Sequence, residues 1–303
     1  MMTTEKSNAE DLQFQYVEGQ GRPTYPELLD SYKAASDAVL LSEACTIDVR
    51  YGPLERHTFD FFVAHGAPVA TMVYYHAGYW QARDKFWFRF LAPSYTRRGV
   101  NVVFVNYPLC PTVTLTDLVA GVHASISRVL EHAHALGQPR LPLITAGHSA
   151  GAHLAVEMAL SFGSATDSRP PAIDGVIALS GIYDLVPLVS TSINTKLGLD
   201  AATAKANSPI HRLRQNLPPA LFIVGAEETP AFIAQNSVMA DAWHLAGNES
   251  FIDEAAAADH FSLLQPFSAD NGATRSAVDR LLELAQVRFR DARGNAQIHR
   301  STP

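Results

Sequence analysis

The pentapeptide Gly147-His148-Ser149-Ala150-Gly151 sets a serine between two glycines, the residue pattern of an acyl-transfer nucleophile. A serine hydroxyl is a poor nucleophile near neutral pH, so it needs a base within hydrogen-bond reach and an acid that orients the base. Of twelve histidines, His260 stands apart. It lies in the loop Ala258-Asp259-His260-Phe261, after the last expected strand and at the sheet edge where Ser149 is expected. His153, His244, and His123, His132 and His134 fall on helices. His57 and His65 flank an early strand, His211 lies in an insertion and His299 in the tail. These read as packed or solvated, and His132-x-His134 is too sparse for a metal site.

The acid is expected after the strand preceding the last one, in Gly225-Ala226-Glu227-Glu228-Thr229-Pro230. Two glutamates compete there: Glu228 is favoured, and Glu227 is read as a solvent-exposed or helix-entry residue. Asp184 is a third candidate. Oxyanion donors are expected from the Ala150 N–H and from His76-Ala77-Gly78-Tyr79-Trp80, where a glycine lets the backbone turn an N–H into the site. His76 is read as a brace for that loop. Tyr79, Trp80 and His148 are expected to line the substrate pocket, with core packing the competing role for Trp80.

Elements must exist to place these residues. From about residue 45, β-branched runs alternate with amphipathic segments, the pattern of βαβ units and a mostly parallel sheet covered on both faces. Eight strands are expected: Thr46–Arg50 and Thr58–Val63 as an antiparallel opening pair, then Ala70–Tyr75, Val100–Asn106, Leu141–Ala146, Gly175–Ser180, Ala220–Val224 and Ser250–Glu254. Helices are expected over Lys85–Arg98, Leu115–Leu136, Ala150–Phe162, Ala231–Ala246 and Ala273–Arg290. Residues 1–44 read as an N-terminal extension or cap segment with a polar lead and one helical stretch, Tyr25–Ala44, and this segment and the 185–216 insertion are expected to set the pocket shape. Residues 45–290 form the main domain, 185–216 a small cap-like insertion, and 291–303 a polar, frayed tail. The placement of Ser149 between a strand and a helix is what lifts the pentapeptide above chance. By itself the pattern arises in roughly one chain of this length in ten.

Composition narrows the classes. Over 303 residues, 47% are hydrophobic and 17% charged, with a net charge of −7. This suits a globule with a sizeable core and gives nucleic-acid phosphate nothing to bind. No apolar run suggests a signal peptide or a membrane span. The two cysteines, Cys45 and Cys110, read as buried thiols in a reducing cytoplasm, which makes Asn248-Glu249-Ser250 a chance sequon. Gly19-Gln20-Gly21 lacks the strand of a dinucleotide loop, and Phe86, Trp87, Phe88 and Phe90 read as core. No cofactor or metal is implied. The partner is a small-molecule substrate, with no nucleic acid or membrane, and nothing excludes a homo-oligomer.

His76-Ala77-Gly78-Tyr79-Trp80-Gln81 and Asn106-Tyr107-Pro108-Leu109-Cys110-Pro111 resemble the arylformamidase (kynurenine formamidase) branch of the α/β-hydrolases. Ser180-Gly181-Ile182-Tyr183-Asp184-Leu185, Leu197-Gly198-Leu199, Ser208-Pro209 and Asp259-His260-Phe261 are similar to the same pattern. The resemblance spans about residues 51–264. It implies the α/β-hydrolase fold, with Ser149 as nucleophile, His260 as base and Glu228 where the family usually has Asp, and it lowers the share of Asp184. It also implies an oxyanion hole at Gly78 and Ala150. Ala77 stands where the first glycine is expected and is expected to aim that backbone differently, and Pro108 replaces an often polar residue. The implied activity is that of a serine hydrolase acting through an acyl-enzyme on an aromatic formamide or ester. N-formylkynurenine is the first substrate candidate and a carboxylesterase the alternative. A non-catalytic binding protein of this fold would be expected to lose a triad member, and this chain keeps the set.

Overall fold

The structure is a computed structural model and describes residues 2–163 and 173–298. Eight strands form one sheet in the order β1-β2-β4-β3-β5-β6-β7-β8. They are β1 (Cys45–Arg50), β2 (Thr58–Phe62), β3 (Ala70–Tyr75), β4 (Val100–Val105), β5 (Leu143–His148), β6 (Gly175–Leu179), β7 (Ala220–Gly225) and β8 (Ser250–Ala255). β2 pairs antiparallel with β1 and with β4, and every other pairing is parallel. The carboxyl ends of all the strands but β2 therefore share one edge, where open α/β sheets place their sites.

β3, β4, β5 and β7 are buried along their whole length. Side chains alternate across the sheet with period two. Val73, Tyr75, Val103 and Val105 face a core shared with α4 (Leu115–Ala135), α5 (Ala150–Phe162) and α8 (Pro230–Leu245). Met72, Tyr74, Val102 and Phe104 face the other core. It is covered by α2 (Tyr25–Val39), α3 (Ala92–Thr96), α9 (Leu264–Ser268) and α10 (Ala273–Ile298). Among the described residues no helix is long and apolar enough to cross a membrane.

Several expectations shift. β5 starts and ends two residues later than expected. Pro142 has no N–H to give the ladder, although its carbonyl accepts from Thr71 N at 2.9 Å. The segment expected as a helix over 85–98 is a 3₁₀ helix, Lys85–Leu91, running into α3. Asp84 caps its start by accepting from Phe86 N. The polar lead holds a helix, α1 (Met2–Tyr16), that no apolar periodicity announces. It is rich in good helix formers and is fixed at its C-terminal end, where Tyr16 is buried against Phe232. At the other terminus α10 continues helically to Ile298, past the expected start of the frayed tail. Residues 299–303, with His299, lie outside the described residues.

Between β6 and β7 lie a 3₁₀ turn, Val186–Ser190, the short helices α6 (Asn194–Leu197) and α7 (Ala201–Ala206), and a second turn, Pro209–Arg212. Ser208 ties them back, accepting from Leu185 N and donating to Ala204 O, both at 2.8 Å. Cys110 is buried, but Cys45 on the edge strand is half-buried, and both are free thiols. Asn248 is buried and its amide bonds Leu217 N and Arg214 O, each at 2.8 Å, so the sequon is closed to a sugar.

Candidate active site

Ser149 sits between β5 and α5 with φ 57° and ψ −119°, a conformation that non-glycine residues rarely adopt. The flanking glycines make this turn possible. A Cβ on Gly147 would stand 2.1 Å from the carbonyl oxygen of Gly151, and one on Gly151 would stand 1.9 Å from that of Tyr75. Ser149 N donates to Leu179 O at 2.8 Å, pinning the turn to β6. As the first residue of α5, Ala150 has no intrahelical acceptor for its N–H.

His260 and Glu228 meet from two loops at the same sheet edge. His260 Nδ1 lies 2.8 Å from Glu228 Oε2. A carboxylate oxygen only accepts, so Nδ1 carries the proton and Nε2 is left to receive one. Glu228 is itself held: Gly225 N donates to Oε1 at 2.9 Å, and the Ser180 hydroxyl donates to the same oxygen. The longer Glu side chain is thus fixed by three donors, as a shorter Asp would need to be. Ser180, with φ 47° just after β6, belongs to one motif of the resemblance, but nothing in its type or spacing marks it as a partner of the acid. Glu227 is exposed and engages only through its backbone, accepting from Arg22 at 2.8 Å. The Asp184 carboxylate caps its own loop by accepting from Val186 N at 3.0 Å.

The loop after β3 supplies the facing wall. Gly78 has φ +132°, and a Cβ there would stand 2.1 Å from the Ala82 carbonyl oxygen, so only glycine fits. Ala77 is absent from the positive-φ positions of this loop, so alanine is accommodated there without strain. His76 is fully buried, stacked on Tyr107 at 4.2 Å, and its Nδ1 lies 2.8 Å from Ala77 O. Burial pushes its pKa down to about 3, so the ring is neutral. The two motifs of the resemblance are physically joined here. Tyr107 OH donates to His76 O at 2.7 Å, Cys110 N to Trp80 O at 2.8 Å, and Asn106 Oδ1 accepts from Lys85 N at 2.8 Å.

A pocket of about 320 Å³ opens on this edge, lined by Ser149, His260, Ala77, Gly78 and Tyr79 among others. No hydrogen bond joins Ser149 to His260 among the described residues. Such bonds are commonly long until substrate is in place. Trp80 and His148 do not line the pocket. Trp80 is fully buried, edge-on to His153 at 5.1 Å, and His148 is buried behind His260, ring centroids 4.7 Å apart. Consecutive positive φ at Tyr79 (49°) and Trp80 (59°) turns one side chain to the pocket and the next into the core. The N-terminal extension and the 185–216 insertion both reach the pocket, through Val17, Gln20, Gly21 and Tyr25 and through Ile193 and Lys196, and these residues, like Arg83, were not singled out from the sequence. The N-terminal segment is fastened over the site by Gln20 Nε2 to Thr229 Oγ1 (2.8 Å), Thr229 Oγ1 to Gln15 O (2.7 Å) and the Tyr79 hydroxyl to Tyr16 O.

Comparison with known proteins agrees with this architecture. The family model for the alpha/beta hydrolase fold matches residues 72–263. A kynurenine formamidase of Danio rerio is 32% identical over 233 residues, covering 74% of this chain and 78% of that protein. One of Salmo salar is 31% identical over 228 residues, covering 72% of this chain and 76% of that protein. A candidate thioesterase from Silicibacter sp. tm1040 superposes with a TM-score of 0.76 at 27% identity, covering 88% of this chain and 98% of the other. The chain is a hydrolase of the α/β-hydrolase family and belongs to its kynurenine-formamidase-like branch.

Proposed function

We propose that Ser149, His260 and Glu228 form the catalytic triad of a serine hydrolase that cleaves the formamide of an aromatic amine. The observation that carries this reading is the 2.8 Å His260–Glu228 pair, whose imidazole lines one pocket with a serine in a strained strand-to-helix turn. His260 takes the proton from Ser149 as the hydroxyl oxygen attacks the carbonyl carbon. The N–H groups of Gly78 and Ala150 receive the oxyanion, and His260 then protonates the departing amine. Water, deprotonated by the same imidazole, releases the acyl group as the free acid.

The formamide is favoured because the Danio rerio and Salmo salar relatives are kynurenine formamidases, which makes N-formylkynurenine the first substrate to test. A carboxylesterase acting on small or aromatic esters is the second reading, favoured by the overall likeness to a candidate thioesterase. A fluorophosphonate probe is expected to label the intact protein and not Ser149→Ala, and an unlabelled intact protein rejects the triad. The ratio of kcat/KM on N-formylkynurenine to that on p-nitrophenyl acetate separates the readings. A formamide rate no better than background leaves the esterase.

A further inference from the structure

Arg83 lines the same pocket as Ser149 and His260. Its guanidinium lies 4.6 Å from the centroid of the Phe261 ring, which also lines the pocket, and 5.4 Å from that of Trp87. Its backbone is held at φ 72°. Its carbonyl is fixed by Arg56 at 2.8 Å, and Arg56 also pairs with Asp84 at 3.0 Å. The guanidinium of Arg83 makes no hydrogen bond or ion pair with any described residue. The nearby carboxylates are already committed: Asp84 to Arg56, Asp259 to Arg22 and Ser262, and Glu228 to His260. A second cation, Lys196, stands exposed on the pocket rim, and no aspartate or glutamate lines the pocket.

This is an unusual place for uncompensated positive charge. The chain has a net charge of −7, yet the wall beside its candidate nucleophile is cationic only. A partly desolvated guanidinium without an anion is an unfavourable arrangement that a bound carboxylate relieves. Burial accordingly pulls the Arg83 pKa below its ordinary value. Stacking on Phe261 keeps the planar fork oriented while its donors stay unused.

We infer that Arg83 is a specificity-determining residue that binds a carboxylate on the substrate of Ser149, with Lys196 adding long-range attraction at the rim. Among aromatic formamides and esters, Arg83 thereby selects those that carry a carboxylate remote from the scissile bond. This rests on the hydrolase reading of Ser149 for its purpose, but its test does not require turnover.

The test is equilibrium binding, by calorimetry, of a matched pair: 4-oxo-4-phenylbutanoate and its neutral amide, 4-oxo-4-phenylbutanamide. The intact protein is expected to bind the acid at least about tenfold more tightly than the amide, the range for a charge-assisted hydrogen bond. Arg83→Gln is expected to erase that ratio, and Arg83→Lys to keep part of it. Equal affinities, no binding of either compound, or a ratio that survives Arg83→Gln overturns the inference. Should Arg83→Gln fail to fold by thermal melting, Arg83→Met replaces it, and the ratio in the intact protein still decides whether charge is read. Fluorophosphonate labelling of Ser149, run in parallel, reports on the hydrolase reading by itself.

Discussion

The Nδ1 nitrogen of His76 lies 2.8 Å from the carbonyl oxygen of Ala77. That carbonyl shares a planar peptide with the N–H of Gly78, and in a trans peptide the two groups point in opposite directions. Holding one therefore aims the other. The carbonyl can only accept, so Nδ1 carries the proton, which leaves Nε2 toward Arg56 at 3.5 Å. His76 thereby aims the N–H of Gly78, the proposed oxyanion donor, from outside the pocket lining.

His76→Phe keeps the flat ring against Tyr107 and removes the Nδ1 donor. The expected result is a fall in kcat of about 10–100-fold, the scale of a disturbed oxyanion donor, with KM changing by less than about threefold. Steady-state kinetics on p-nitrophenyl acetate reads this directly. A loss confined to KM would remove the positioning role.

Glu228→Gln should cost far more activity than Glu227→Gln. The first replaces the carboxylate that orients His260 and is expected to lower kcat by about 10²–10⁴-fold. The second alters an exposed side chain and should stay within about twofold of the parent. The reverse ranking would mean that the neighbouring glutamate does the orienting.

Gly78→Ala is expected to abolish turnover and lower thermal stability. The new Cβ meets the Ala82 carbonyl oxygen at 2.1 Å, and φ +132° is a conformation that alanine avoids. Strain of this kind costs about 1–3 kcal/mol before any clash is counted. Paired melting and activity curves test it, and a variant as stable and active as the parent would contradict the geometry.

Acid should destabilise the fold before it protonates most carboxylates. Burial pushes His76 down to about 3, and also lowers His148 and His153. Below about pH 6.5 an unfolded histidine binds a proton that these folded ones refuse. Their contribution is complete above that pH and is lost progressively as the pH falls. Asp174, pushed up to about 6 by burial, acts in the opposite sense, losing its contribution as pH rises through 6. Three histidines outweigh one aspartate, so Tm should fall steadily from pH 7 to pH 5. A flat or rising Tm over that range would mean that these rings are not buried neutral.

Ser149, Glu228 and His260 could be read from the chain because each follows a strand, and parallel strands deliver their following loops to one edge. The fold was legible for the same reason, since β3, β4, β5 and β7 are buried throughout and read as apolar runs. What the motifs could not tell was which way a side chain points. Tyr79 and Trp80 are neighbours in one loop, yet one lines the pocket and the other is core, a difference made by backbone angles that residue type does not reveal. Ser180 and the walls from Val17, Gln20 and Gly21 were invisible for another reason. Ser180 acts through Glu228 and Gln20 through Thr229, 209 positions away, and no local periodicity encodes such a meeting.

The N-terminal segment is tied down through both its main chain and its side chains: Tyr79 donates to Tyr16 O and Thr229 to Gln15 O, while the Gln20 side chain reaches Thr229 and that of Arg22 reaches Glu227 O. Main-chain acceptors are indifferent to the residues that carry them. A side chain of this segment that lines the pocket without making one of these bonds, such as Val17, can therefore be exchanged while the attachment persists. Such a wall is a replaceable faceplate on a fixed engine, and selectivity can drift at Val17 while the proposed triad stays as it is.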